Sequence, residues 1–346
     1  MRLFRNDYSE LCHENIIKAL NNVKCEQNDC YGLDKYSISA SEKIKNIFDC
    51  KDAEVHFLCG GTQTNMTFIS YLLRDYEAVL ACESGHINVH ETGSVEGSGH
   101  KVFVCKGKDG KLSRDDIVTS IKYNCNEHMV KIKMVYISNS TETGTIYSLE
   151  ELKSLYDECK KNDLYLFIDG ARLGVALTSK YNDVRCEDIS KYCDAFYIGG
   201  TKNGLMIGEA LVIVNKELHG FFRYQMKNKG AMLAKGYLLG IQFDEIFKDD
   251  LYFKLARTSN EIASLLKDEL LKLGLSVSDS PTNQIFLKCN KELGNKIIEA
   301  FGCELWSGEN DTIEIRFVTS FNSKKEDVEE LIKYIKNLDS LGVKIE

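Results

Sequence analysis

The chain has 346 residues, with 43% hydrophobic and 28% charged residues, and such a length and balance exclude a disordered chain, a fibre and a mini-protein. At roughly 150 residues per domain the length predicts about two domains. Lysine plus arginine is 44 against 52 acidic residues, a net charge of −8, which gives no general attraction to nucleic acid or to an anionic membrane.

The N-terminus, Met1-Arg-Leu-Phe-Arg-Asn-Asp-Tyr8, carries no apolar signal core. Val55–Leu58 reads as a strand and Thr62–Leu73 as the helix after it. Val79–Ala81 and Lys101–Val104 read as strands. Ser113 is placed to cap a helix that starts at Arg114. Lys133–Ser138 is a strong strand, and Ser148 with Glu151 makes a capping box for a helix reaching about Asn162. Leu164–Ile168, Ala195–Ile198 and Ala210–Val214 are three more apolar strands. Nearly continuous apolar strands alternating with helices predict an α/β fold with a mostly parallel sheet covered on both faces. From about residue 245 the pattern changes to a long helix, Gln284–Lys288, another helix, Thr312–Phe317 and a charged helix from Ser323. The expected division is a large domain over 1–245, with an N-terminal arm over 1–35, and a smaller α+β domain over 246–346. No stretch approaches the roughly 18 apolar residues of a membrane span.

The 13 cysteines form no Cys-x-x-Cys pair, and many sit inside apolar runs. They read as small buried hydrophobes in a reducing cytosol, not as a disulfide framework or a metal site.

Three short segments carry chemistry. Phe57-Leu-Cys-Gly-Gly-Thr-Gln-Thr-Asn65 follows a strand and opens a helix, so its free N–H groups can meet an anion. It lacks the glycine spacing of a dinucleotide site and the lysine of a P-loop. In Leu166-Phe-Ile-Asp-Gly-Ala-Arg172 a carboxylate leaves the C-terminal end of a buried strand, where ligands bind in parallel α/β sheets. In Phe196-Tyr-Ile-Gly-Gly-Thr-Lys-Asn-Gly204 a lysine stands among glycines and a threonine, a confined setting in which it can form a Schiff base. A phosphate-binding helix start, an aspartate for a pyridinium nitrogen and an imine-forming lysine together point to pyridoxal 5′-phosphate.

The chain resembles the low-specificity L-threonine aldolases, β-eliminating lyases of the aspartate aminotransferase-like fold (fold type I). The resemblance lies in Arg5-Asn-Asp7, Tyr31-Gly-Leu-Asp34, Gly60-Gly-Thr-Gln-Thr-Asn65 and Gly85-His86 with Glu91-Thr-Gly93. It continues in Asp169-Gly-Ala-Arg172, Tyr192-Cys-Asp194, Thr201-Lys202 and Ile315-Arg-Phe-Val-Thr319. It implies that Gly60, Gly61 and Thr62 form the phosphate cup, and that His86 stacks on the pyridine ring. It makes Asp169 the partner of the ring nitrogen, and Lys202, beside Thr201, the Schiff-base lysine. Arg172 would lie near the phenolic oxygen and the substrate carboxylate, and Arg316 would hold that carboxylate in a bidentate pair. Asn6 stands where the family has a serine near the carboxylate. Tyr31 matches a residue that reaches the site from a neighbouring subunit, which implies a homotetramer built from tight dimers.

Two positions depart from the family. The segment Glu-Asn-Thr-His-Asn appears as Ser138-Asn-Ser-Thr-Glu142, so Thr141 replaces a histidine near the substrate hydroxyl and can hydrogen-bond it but cannot act as a base near neutral pH. Leu233 replaces a phosphate-binding arginine in Lys229-Gly-Ala-Met-Leu-Ala-Lys235, which leaves Lys229 or Lys235 to supply the charge. The implied activity is cleavage of L-threonine or L-allo-threonine to glycine and acetaldehyde, with His86, His90 or a water as the base. Other readings are cleavage of a different β-hydroxy amino acid, β-elimination, transamination, or a pyridoxal-phosphate-binding regulator without catalysis. A cytoplasmic enzyme with an amino-acid substrate, no metal, no nucleic acid and no membrane partner is expected.

Overall fold

The computed structural model describes residues 4–23 and 25–344. Its main sheet contains β1 (Glu54–Leu58), β2 (Glu77–Cys82), β3 (Lys101–Cys105), β4 (Lys131–Ser138), β5 (Tyr165–Asp169), β6 (Ala195–Gly199) and β7 (Glu209–Ile213). Their order in space is β1-β7-β6-β5-β4-β2-β3. Strands β2 to β6 pair in parallel, while β7 runs antiparallel between β1 and β6.

Successive residues of one strand point to opposite faces, and here each face has its own core. Val135, Ile137, Leu166, Ile168, Phe196 and Ile198 enter one cluster. Their neighbours Met134, Tyr136, Phe167, Ala195 and Tyr197 enter the other. That is why these strands read as unbroken apolar runs instead of alternating ones. The surrounding helices start where their caps place them. Ser113 accepts from the Asp116 N–H and Ser148 from the Glu151 N–H, each in a reciprocal capping box.

A second, antiparallel sheet has the order β10-β11-β9-β8, from β8 (Ser276–Val277), β9 (Gln284–Asn290), β10 (Glu304–Glu309) and β11 (Thr312–Val318). The helix Leu251–Lys272 serves both halves of the molecule. Its Tyr252 and Leu255 join the core of the main sheet, and its Ala263, Leu266 and Leu270 join that of the small sheet. The N-terminal arm also crosses over: Phe4 is buried in the small-sheet core, and its backbone bonds to Phe301 and Val318. The same long helix braces the lysine loop. The Tyr252 hydroxyl donates to the Gly199 carbonyl at 3.2 Å, and the Tyr252 carbonyl accepts from Asn203 Nδ2 at 2.8 Å.

Candidate active site

The chemistry-bearing residues gather at the C-terminal ends of β4, β5 and β6. Asp169 closes β5, opposite Ser138 of β4, and is buried. One carboxylate oxygen accepts from the Ala171 N–H at 3.0 Å. The other accepts from the Tyr136 hydroxyl and from Asn65 Nδ2 at 3.0 Å. Tyr197 adds a further hydroxyl to this carboxylate. Every one of these donors is neutral, so the shell orients Asp169 without cancelling its charge. Burial pushes the phenols of Tyr136 and Tyr197 far up, and the Asp169 charge adds to this, so both remain donors.

Asn65 also donates to Glu91 at 2.8 Å, and Glu91 in turn takes His86 Nδ1 at 2.8 Å and the Ser94 hydroxyl at 2.6 Å. Asp169 and His86 are thus tied together through Asn65 and Glu91. His90 follows one turn after His86, with ring centroids 5.5 Å apart, at the exposed rim. Partial desolvation, then the charges of His86 and Arg316, holds its imidazole below the usual range, against the pull of Glu304.

The glycine turn precedes the 12-residue helix Gly61–Leu72. Gly60 is its N-cap and no side chain caps it. A Cβ at Gly60 would meet nothing within 4 Å, whereas one at Gly61 would sit 2.8 Å from the Tyr197 hydroxyl. Thr62 is exposed beside them. The helix start is therefore open to an anion, with the macrodipole behind it.

Lys202 lies in a turn that only glycines permit, since a Cβ at Gly199 would stand 2.1 Å from the Ala171 carbonyl oxygen. Burial and then the Arg172 charge lower its pKa, while Asp7, Asp169 and Glu209 oppose them. The turn is fastened by Thr201, whose N–H donates to the Gly208 carbonyl and whose hydroxyl oxygen accepts from the Gly208 N–H. Glu209, buried at the start of β7, accepts from the Gly200 N–H at 2.9 Å and from Thr201. Burial pushes its carboxyl up to about 8, against those two bonds and the Lys202 charge.

The Arg172 side chain, only 9% exposed, forks onto the buried Asp7 at 2.7 and 3.0 Å, and Asn283 Nδ2 donates to the same carboxylate at 3.0 Å. Burial alone would raise Asp7; Arg172 and Lys202 overcome it and hold the carboxyl below its usual value. Asn6, expected near the substrate carboxylate, instead accepts from the Tyr8 N–H and the Ser9 hydroxyl in a turn that presents Asp7. Arg316 of β11 donates to Gln284 Oε1 at 3.0 Å and pairs with Glu304, and its guanidinium lies 4.8 Å from the centre of the Trp306 ring. Its buried Nε has no partner among the described residues.

Thr141 differs from expectation. Its hydroxyl is fully buried and is spent on Thr143, on the Thr145 hydroxyl at 2.7 Å and on the Thr145 N–H. These bonds close its own turn. Tyr31 packs against the Ala234 segment. The Tyr31 N–H donates to the Ala234 carbonyl, its carbonyl accepts from Arg223, and Lys235 is exposed. Among the described residues, no hydrogen bond or ion pair joins Lys229 or Lys235 to Gly60–Thr62.

Several participants carried no assignment from the sequence: Asn65, Glu91, Tyr136, Tyr197, Asp7 and Glu209. Glu209 had a visible signal, a lone carboxylate opening an apolar strand, the mirror image of Asp169. Asp7 lay in the quoted Arg5-Asn-Asp7. Asn65, Glu91 and Tyr197 stood in the quoted segments without a role, and Tyr136 depends on tertiary approach alone.

The residues present fit pyridoxal 5′-phosphate. An uncapped glycine-lined helix start suits its phosphate, a buried carboxylate with only neutral donors suits its ring nitrogen, and a lysine of lowered basicity suits its aldehyde. Fold and site together define a pyridoxal-phosphate-dependent enzyme of fold type I. The aspartate aminotransferase of Thermus thermophilus shares the fold, with a TM-score of 0.71 at 13% identity over 97% of this chain and 91% of that one. The β-eliminating lyase model matches residues 8–292, and the chain belongs to that family. It is similar to the Leishmania major threonine aldolase structure, with 40% identity, a TM-score of 0.96 and coverage of 98% of this chain and 99% of that one. It is 28% identical over 340 residues to the low specificity L-threonine aldolase of Pseudomonas aeruginosa, covering 96% of each.

Proposed function

We propose that the protein is a carbon–carbon lyase that cleaves L-threonine and L-allo-threonine to glycine and acetaldehyde. The observation that carries this reading is the Asp169 shell, a buried carboxylate fixed by neutral donors and linked through Asn65 and Glu91 to His86. When bound, the cofactor supplies an electron sink for the pair released by the breaking Cα–Cβ bond. Lys202 would hold the cofactor through its amine, and its lowered basicity favours the unprotonated nitrogen that this needs. Asp169 keeps a proton on the ring nitrogen. His86, oriented by Glu91, would shield the bound cofactor from water. Gly60, Gly61, Thr62 and Thr201 hold the phosphate end. Arg316 receives the substrate carboxylate, and Arg172, anchored by Asp7, adds positive charge beside Lys202.

The assembly reading is a homotetramer in which Tyr31 and Lys229 or Lys235 complete a neighbour's site. Support comes from the apolar side chains left exposed around them, notably Phe221 at 69% and Tyr224 at 75%. Thirteen free thiols support a cytosolic setting. Acetaldehyde release from L-threonine, L-allo-threonine and D-threonine by the purified holoenzyme tests the reading. Both L-isomers should be cleaved, and Lys202→Ala should fall below about a thousandth of the wild-type rate. No aldehyde from any isomer would reject it.

A further inference from the structure

The family resemblance places a histidine at position 141, beside the substrate hydroxyl, and this chain has turned Thr141 away into its own loop. The next side chain goes the other way. Glu142 is buried, and its Oε1 accepts from the His86 N–H at 3.1 Å and from the Ser138 hydroxyl at 2.6 Å. Ser138 stands opposite Asp169 across the β4–β5 pairing. The carboxyl group therefore lies at the His86 backbone and next to the end of β5, close enough to Asp169 and His86 to feel both charges. Nothing in the roles assigned above uses it.

We propose that the Glu142 carboxylate takes the β-hydroxyl proton of the substrate, replacing the imidazole that the family places one residue earlier. The inference rests on the lyase reading. The hydroxyl O–H bond breaks and its proton passes to Glu142. The oxygen pair forms the aldehyde C=O bond as the Cα–Cβ bond breaks, and the Cα–Cβ pair remains on Cα, where the bound cofactor spreads it. A proton returned to Cα gives glycine, so one proton has moved from oxygen to carbon and no oxidant is needed.

The surroundings suit a base that works near neutral pH. Burial raises the Glu142 pKa and the Asp169 charge adds to it, while the Ser138 bond and the His86 charge oppose them. The other groups facing it are the Tyr136 and Tyr147 phenols and Arg172, with Glu91 behind His86. Since only the ionised form can take the proton, kcat/KM should rise with pH through this raised value.

Glu142→Gln separates the proposal from a purely structural role, because glutamine keeps an oxygen for the His86 N–H and the Ser138 hydroxyl. In the holoenzyme, kcat for L-threonine cleavage should fall at least about 100-fold and the acid limb of the pH profile should vanish. Glycine has no β-hydroxyl, so its dissociation constant, read by equilibrium dialysis, should stay within about threefold. Glu142→Asp should recover part of the rate. A Glu142→Gln enzyme that cleaves threonine like the wild type, or that loses glycine affinity as much as rate, would overturn the assignment alone. A wild-type holoenzyme that releases no aldehyde would bring down the lyase reading and this one with it.

Discussion

Asp169 and Arg316 are both charged groups at the same site, and they are held in opposite ways. Asp169 sits at the end of a central strand, and its partners Tyr136, Tyr197 and Asn65 come from β4, β6 and the helix behind the glycine turn. All are buried and neutral. Arg316 sits on the small sheet directly across from Glu304, a cross-strand partner whose side chain is 43% exposed. One charge is locked in place with its ionic partner still to come. The other already has an ionic partner, and solvent reaches that partner. The difference follows the chemistry each end performs. A cofactor stays through many turnovers and rewards a rigid seat. A substrate carboxylate arrives and leaves each time, and needs a cation whose resting partner it can displace.

The largest test of the rigid end is Asp7→Asn. Arg172 would keep its buried charge and lose its bidentate anion, and breaking such a pair costs about 3–5 kcal/mol. Equilibrium denaturation near pH 7 should show that loss. The Asp7 pKa is lowered in the fold, so its contribution is full above the ordinary aspartate value of 3.8 and fades as pH falls through the folded value. The gap between wild type and variant should therefore narrow under strong acid. An equal gap at acid pH would mean that packing of the N-terminal arm, not charge, is at stake.

At the exchangeable end, Arg316→Lys replaces a planar fork with a single ammonium. It forfeits the Gln284 bond or one arm of the substrate pair, and charge-assisted bonds of this kind contribute about 1.5–3 kcal/mol. The expected result is a KM for L-threonine higher by about 10- to 100-fold with a much smaller change in kcat. If kcat fell and KM held, Arg316 would be acting on the reaction itself and the two ends would not be distinct.

The two ends also differed in how well they could be read from residues alone. The central strands are two-sided apolar runs, so Lys133–Ser138 and Leu164–Ile168 predicted β4 and β5 to within two residues at either end. Gly-Gly-Thr, Asp-Gly-Ala-Arg and Thr-Lys are local in sequence, and each sits at the end of such a strand. The small sheet hid more. β10, Glu-Leu-Trp-Ser-Gly-Glu, is largely exposed, carries no apolar run, and gave no strand signal. Its Glu304, the partner of Arg316, was invisible for the same reason. Asn65, Glu91 and Tyr136 belong to the rigid end, yet Asn65 reaches Glu91 and Asp169 over gaps of 26 and 104 residues, and Tyr136 reaches Asp169 over 33. Position 141 was legible only as a motif match, since the bonds that tie the buried Thr141 hydroxyl into its own turn, while Glu142 bonds to Ser138 and to the His86 backbone, depend on the folded loop.

Glu304→Gln gives the smallest effect and the sharpest reading of the contrast. If Glu304 is a resting partner that the substrate carboxylate displaces, removing its charge takes away a competitor. An exposed pair of this kind is worth roughly 0.2–1 kcal/mol, which corresponds to a KM for L-threonine lower by up to about fivefold. Folding stability should change by less than about 1 kcal/mol for the same reason. The advantage should shrink as salt is added, because ions screen the competing carboxylate in the wild type. A higher KM would instead show that Glu304 orients the Arg316 fork for the substrate. Arg316 would then be preorganised in the same sense as Asp169, through its cross-strand neighbour.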